Sequence, residues 1–354
     1  MKFKNNKTYI IAEAGVNHNG KLSIAKKLIL AAKRCGANAV KFQSFIPDNL
    51  VLKDSPKAEY QIRNTKKNDS QMNMLRNLSL KSKHYFSLKT FCKKNKIDFL
   101  TSIFDEESLD FAQKKLRCNV IKIPSGEINN YFLLDGILRK NKIILSTGMS
   151  NLKEIAMSIN RICKMEVYKF KKKNINVSLH KLKKIKNRIT ILHCVTDYPV
   201  ENCYANLSSI NYLQNNLKLN IGYSDHTSGI LASVSAVAMG AKIIEKHLTI
   251  NKNFSGPDHK ASLTPNEFKL LCSKIRELEL LKGNGIKKIE NCEKKNLLVV
   301  RKSIIAKNDI KKNELFTRKN LTAKRPFLGK SPDRINEYLG RRSKRNYSKN
   351  ELIK

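Results

Sequence analysis

A chain of 354 residues exceeds the ~250 of a typical eightfold α/β barrel and leaves room for one small further module. Its 70 Lys and Arg against 29 Asp and Glu give a formal charge of +41, a field that draws anions, yet the lysines are scattered among asparagines without interleaved aromatics, which argues against a dedicated nucleic-acid binder. Eight cysteines without a C-x-x-C pair exclude a disulfide framework, and the longest apolar stretch, residues 230–239, falls short of the ~20 residues of a membrane span, so a reduced, cytoplasmic chain without membrane attachment is expected.

In chain order, short apolar runs alternate with helix-like stretches at intervals of one βα unit. The run at 9–12 ends at Glu13, and apolar residues recur at helical spacing over 22–35. The run at 39–40 leads to Lys41 and Gln43, and that at 97–100 to Thr101 and Ser102. After a helical pattern over 109–116, the run at 120–123 carries Lys122 and ends at Ser125 and Glu127. The fifth run, 143–145, ends at Ser146 and Thr147 before a helical pattern over 152–163. The sixth, 189–192, ends at His193; the seventh, 219–223, at Ser224 and His226; the eighth, 243–244, at Glu245 and His247, before a last helical pattern over 265–281. Eight runs are the count of a TIM (β/α)8 barrel, where functional groups gather at the C-terminal ends of the strands. No GxGxxG follows the first run, which weighs against an open dinucleotide-binding sheet.

Residues 164–188, with lysine clusters at 171–173 and 181–186, read as a surface insertion between the fifth and sixth strands. The barrel is expected to span 1–281 and a linker 282–296, and the tail 297–354 carries short β-like pieces broken by turns. That tail is a compact β-rich module too small for a large core of its own. His226 and His247 each close an apolar run, which puts two imidazoles at the ends of successive strands, where a barrel enzyme holds a metal.

The strings "AEAGVNHNG", "VKFQS", "IKIPSGE", "ILSTGM", "ILHCVTDYP", "GYSDHT", "EKHLT" and "GPDHKASLTP" occur in the order in which they stand in N-acetylneuraminate (sialic acid) synthases, a family the chain resembles. The tail, with "VVRKSIIAKNDIKKNELFT" and "LTAKRP", resembles that family's C-terminal antifreeze-like domain. The resemblance implies condensation of phosphoenolpyruvate with an N-acylated mannosamine-type sugar, releasing phosphate and forming a nine-carbon 2-keto sugar acid. It also implies a domain-swapped homodimer in which Arg325 of one subunit reaches the sugar held by the other.

That reaction calls for cations and hydroxyl donors around an anion. Lys41 and Lys122 are the point charges, and Ser102, Ser125, Ser146 and Ser224 the short donors. His226 and His247 are the proposed ligands of an exchangeable Mn2+ or Mg2+ that polarises the sugar aldehyde, with His193 assigned to packing or support. Glu127 is the first choice to orient the water that adds to the former enol carbon. Glu13 and Glu245 shape the charge around it, Asp258 binds sugar hydroxyls and Tyr198 lines the sugar pocket. "FLTSIFD" departs from the family's serine-threonine-proline turn and leaves Ser102 less secure than the lysines; "HCVTDYP" varies at Thr196 and Asp197 on the sugar side. "KNELF" puts Asn313 where a glycine-containing turn requires positive φ. "GPDHKASLTP" is closer to the sialic and legionaminic branches than to the pseudaminic one; N-acetylmannosamine, its 6-phosphate and a 2,4-diacetamido-trideoxy sugar all stay open as acceptors. The alternatives are another phosphoenolpyruvate-dependent 3-deoxy sugar acid synthase, of pseudaminate or of octulosonate or heptulosonate phosphate, and an inactive basic RNA-binding barrel.

Overall fold

The computed structural model describes residues 7–65, 69–171 and 174–353. Its strands, in chain order, are β1 (Tyr9–Gly15), β2 (Ala39–Ser44), β3 (Asp98–Ile103), β4 (Val120–Ile123), β5 (Lys142–Ser146), β6 (Tyr168–Lys171), β7 (Asn174–Val177), β8 (Ile189–Cys194), β9 (Asn220–Asp225), β10 (Ile243–His247), β11 (Ser303–Ala306) and β12 (Leu321–Lys324). The chain divides into two compact units, residues 1–283 and 284–354.

In the first unit, β1, β2, β3, β4, β5, β8, β9 and β10 pair in parallel and close on themselves as β10 meets β1. This is the barrel that the eight apolar runs predict. Strand alternation explains how it carries chemistry without losing its core. Tyr9, Ile11, Ala39, Leu100, Val120, Ile144, Leu192 and Ile243 form one buried cluster inside the barrel. Two residues further along their strands stand Glu13, Lys41, Ser102, Lys122, Ser146, Cys194 and Glu245, on the same inward parity but one layer nearer the C-terminal mouth. Gly222 of β9 sits in that interior because a Cβ there would come within 2.6 Å of both the Ile243 carbonyl and the Leu192 side chain. The outward parity, with Ile10, Ala12, Val40, Phe42, Ile121, Ile143, Ile191, Ile221 and Ile244, packs under the helices in one large cluster.

Those helices follow the apolar periodicity. Leu22–Cys35 buries Ala25, Leu28, Ile29 and Ala32 and stops at Gly36, whose φ of 92° lets the backbone turn left-handed. Leu152–Cys163 starts at a capping box in which the Asn151 side chain accepts from the Glu154 backbone and Glu154 bonds back to the Asn151 N–H. Pro265–Lys282 begins the same way, on Thr264 and Glu267. The pattern at 109–116 resolves differently from its expectation of one helix: a short α-helix, Glu106–Asp110, widens into a π-helical turn, Phe111–Lys115.

The lysine-rich insertion is folded rather than merely solvated. β6 and β7 pair as an antiparallel hairpin followed by the helix Leu179–Ile185. Tyr168, 2% exposed, donates its hydroxyl to the Leu217 carbonyl at 2.8 Å, and Leu182 and Ile185 are buried. Of the cluster at 171–173, Lys172 and Lys173 lie outside the described residues. In the second unit, part of the stretch expected as a linker is helical, Lys294–Val300. β11 and β12 pair antiparallel, and a small core forms from Ile304, Ala306, Ile310, Phe316, Leu321, Tyr347 and Ile353. Asn313 takes φ 71°, the left-handed turn its position demanded.

Candidate active site

The strand ends open into a cavity of about 310 Å³ whose wall includes Glu13, Lys41, Ser102, Lys122, Ser125, Ser146, Tyr198, Ser224, His226, Glu245, His247 and Asp258. Residues from seven strands and from the segments that follow β4, β8, β9 and β10 thus meet in one mouth. The two lysines are built alike: Lys41 donates to Ser102 Oγ at 2.6 Å and Lys122 to Ser146 Oγ at 2.6 Å, each from its own strand to the next. Ser102, the position the sequence left least secure, is held by that bond.

Glu245 ties the pair together. Its Oε1 lies 3.3 Å from Lys41 and 3.9 Å from Lys122, and Ser224 donates to it at 3.1 Å. Glu13 Oε2 is 3.1 Å from Lys41 but out of line for a hydrogen bond, and Gln43 donates to its other oxygen at 3.2 Å. Burial sets the charges apart. It works against Glu245, yet Lys122 and Lys41 outweigh it and hold that carboxyl below the ordinary glutamate value. Glu13 is pushed up to about 7, since burial and the like charge of Glu245 exceed the help of Lys41. Burial lowers Lys122 to about 8, whereas at Lys41 the adjacent Glu13 and Glu245 overcome burial and raise it. The result is one secure cation, one easily discharged cation, one fixed carboxylate and one carboxyl poised near neutrality.

The imidazoles stand beside this seat, their centroids 5.6 Å apart. His226 Nδ1 donates to the Val195 carbonyl at 2.7 Å, which fixes the proton there and leaves the Nε2 lone pair toward Ser224. His247 Nδ1 is buried without a hydrogen-bond partner, 3.8 Å from Asp258. An orphaned ring nitrogen and an unprotonated imidazole nitrogen, whose one contact is a long 3.4 Å approach of Ser224, fit a divalent cation with two imidazole ligands and open positions for oxygen; a closed zinc site does not fit, because among the described residues no three or more His, Cys, Asp or Glu are grouped so as to hold a metal ion. His193 bonds the Ala205 carbonyl and stacks on Tyr223, away from the cavity wall.

Tyr198 packs on His226 at a tilt, with ring centroids 4.1 Å apart, and meets Tyr60 at 4.8 Å, closing one side of the mouth. Asp258, raised by burial to about 6, faces the same space. Ser125 accepts from the Gly148 N–H at 3.0 Å, and a Cβ at Gly148 would displace the hydroxyls of Thr196 and Ser125, which this glycine leaves room for. Glu127 is the residue not gathered in. The 3-10 turn Ser125–Glu127 turns Ser125 inward and carries Glu127 out of the wall, where its Oε2 accepts from Asn130 at 2.7 Å. Arg325 follows β12 in the second unit, exposed and beside Pro326. Cys194 and Tyr60 line the cavity without having been expected there, beside Thr196 of the sugar side. Cys194 was within reach of strand parity, two residues after Leu192, but Tyr60 rides on the short helix Glu59–Thr65, which has no place in the barrel repeat.

A closed parallel barrel whose mouth gathers two lysine–serine pairs and two imidazoles has the architecture of an α/β barrel enzyme. Its relatives specify it further. The NeuB family model matches residues 28–287 and the SAF domain model residues 301–354, and the chain belongs to the NeuB family of phosphoenolpyruvate-dependent condensing enzymes. It is 48% identical to the N,N'-diacetyllegionaminic acid synthase of Campylobacter jejuni over 98% of this chain and 99% of that one. Against the enzyme of the same name from Legionella pneumophila the identity is 39%, over 96% and 91%. The N-acetylneuraminic acid synthetase of Leptospira borgpetersenii, solved with citrate, superimposes with a TM-score of 0.67 at 30% identity, covering 83% of this chain and 91% of that one.

Proposed function

We propose that this enzyme condenses phosphoenolpyruvate with a 2,4-diacetamido-trideoxy sugar of mannose type, in its open-chain form, to give a legionaminate-type nine-carbon 2-keto acid and phosphate. The observation that carries this is the joining of two lysine–serine pairs and two imidazoles in one mouth, and the acceptor follows the similarity to the two diacetyllegionaminic acid synthases.

Lys41 and Lys122 hold the carboxylate and phosphate of phosphoenolpyruvate, and Ser102, Ser125, Ser146, Ser224 and the Gly148 N–H turn from the lysines and one another toward its oxygens. His226 and His247 would hold Mn2+ or Mg2+, which supplies Lewis-acid polarisation of the aldehyde oxygen. Asp258 and Tyr198 position the sugar. The methylene carbon attacks the aldehyde carbon, water adds to the former enol carbon, and the C–O bond to phosphate breaks. Glu13 rather than Glu127 handles that water, being the carboxyl that lines the cavity and is poised near neutrality. The enzyme works in the cytoplasm as a homodimer, with Arg325 crossing to the partner's sugar.

The test is phosphate release from phosphoenolpyruvate with Mn2+ and each acceptor in turn. Release with the diacetamido-trideoxy sugar is expected, with E13Q lowering kcat about 10²- to 10⁴-fold and E127Q far less. Release only with arabinose 5-phosphate or erythrose 4-phosphate would instead make it an octulosonate or heptulosonate phosphate synthase. A larger loss in E127Q than in E13Q would return the water to Glu127.

A further inference from the structure

The cavity has two unlike halves. One is the charged floor already described. The other is a wall of Val16, Phe45, Leu50, Met74, Leu75 and Phe104, which also line the cavity. These belong to a hydrophobic cluster separate from both the barrel interior and the helix layer. They come from the segments that follow β1, β2 and β3 and from the helix Gln71–Leu78, which lies outside the βα repeat and serves to cap the mouth. Phe45 and Phe104 meet edge to face at 6.0 Å, and Ser70 caps the helix by accepting from the Asn73 N–H, so the wall is a built surface.

Among the described residues, Lys41 and Lys122 are the only lysines or arginines of the cavity lining, and both are engaged with carboxylates and serines on the floor. Against this wall a phosphate on the acceptor would lose its hydration to apolar side chains. A methyl terminus or an acetamido methyl would gain by burial.

We infer that the apolar wall formed by Val16, Phe45, Leu50, Met74, Leu75 and Phe104 selects the acceptor, taking its deoxygenated, N-acylated end and rejecting a phosphorylated one. This rests on the condensation reading and names the part of the same site that sets its specificity. Leu75 and Leu50 are only partly buried, so polar replacements there spare the core.

The test compares kcat/KM for the diacetamido-trideoxy sugar, N-acetylmannosamine and N-acetylmannosamine 6-phosphate in wild type, L75R and L50S, with the KM for phosphoenolpyruvate in each. Wild type is expected to favour the first over the second on the order of 10- to 100-fold and to leave the phosphate ester unused. L75R lowers the first and raises the third, L50S narrows the gap between the first two, and the KM for phosphoenolpyruvate stays within about twofold. Comparable use of all three sugars by wild type, or variants that lower every acceptor equally, would overturn the inference while leaving the condensation intact. Phosphate release with no sugar at all would fail the condensation and this inference with it.

Discussion

At the scale of single residues, the two seat lysines look interchangeable in sequence and are not. Lys41 has two carboxylates within 3.3 Å, whereas Lys122 has Glu245 at 3.9 Å and loses more to burial than it regains. Its ammonium is therefore discharged as pH rises through about 8 in the free enzyme. A discharged Lys122 cannot hold an anion, so kcat/KM for phosphoenolpyruvate should fall above about pH 8. K122R, whose guanidinium stays charged, should retain binding above that limit even where the altered shape lowers the rate. A basic limb unchanged in K122R would assign the titration to another group.

Six of the residues named from the sequence have positions that follow from strand parity, whereas Ser125, Tyr198 and Asp258 in the loops were reached through the family resemblance. Glu13, Lys41, Ser102, Lys122, Ser146 and Glu245 each stand two places beyond an interior apolar residue, so finding the strands finds the site. Glu127 fails by the same logic. It lies past the end of β4 in a 3-10 turn, where spacing no longer dictates direction.

At the scale of elements, what keeps the imidazoles convergent lies behind them. Lys246 and Asp225, next to His247 and His226 on the opposite parity, form an ion pair at 3.0 Å with both side chains fully buried. Asp225 also accepts from the Thr227 N–H and hydroxyl and from Ser233, and Lys246 donates to the Thr227 carbonyl. The pair thus fastens β9, β10 and the turn after His226 together. K246M leaves Asp225 charged and buried without its cation and should cost on the order of 3–5 kcal/mol, read as a lowered denaturation midpoint. A midpoint within experimental error of wild type would show that the turn is held by its other bonds. The eight barrel strands and their main helices were legible because periodicities of 2 and 3.6 are written in the apolar residues. The helices over the mouth, Pro47–Leu50, Glu59–Thr65 and Gln71–Leu78, were not, because they are short and split their apolar residues between core and cavity.

At the scale of the whole molecule, two units share one chain, and all eight cysteines are unpaired. No helix among the described residues is long and apolar enough to cross a membrane. Arg325 gives the second unit its proposed part in the reaction. R325A should raise the KM for the sugar at least about tenfold, the worth of a charged hydrogen bond of 1.5–3 kcal/mol, with little change in the KM for phosphoenolpyruvate. Mixing R325A with an inactive E13Q enzyme should restore activity if the arginine serves the partner's site, since one mouth of the hybrid dimer is then whole. No restoration would place Arg325 outside the partner's sugar site.

In the proposed reaction the mouth adds water to carbon and breaks the C–O bond of phosphoenolpyruvate. Phosphoenolpyruvate labelled with ¹⁸O in its bridging oxygen tests this directly when the products of turnover are weighed by mass spectrometry. C–O cleavage puts the label in inorganic phosphate and leaves the keto group of the sugar acid unlabelled; label retained in the keto acid would mean P–O cleavage and would overturn the proposed reaction.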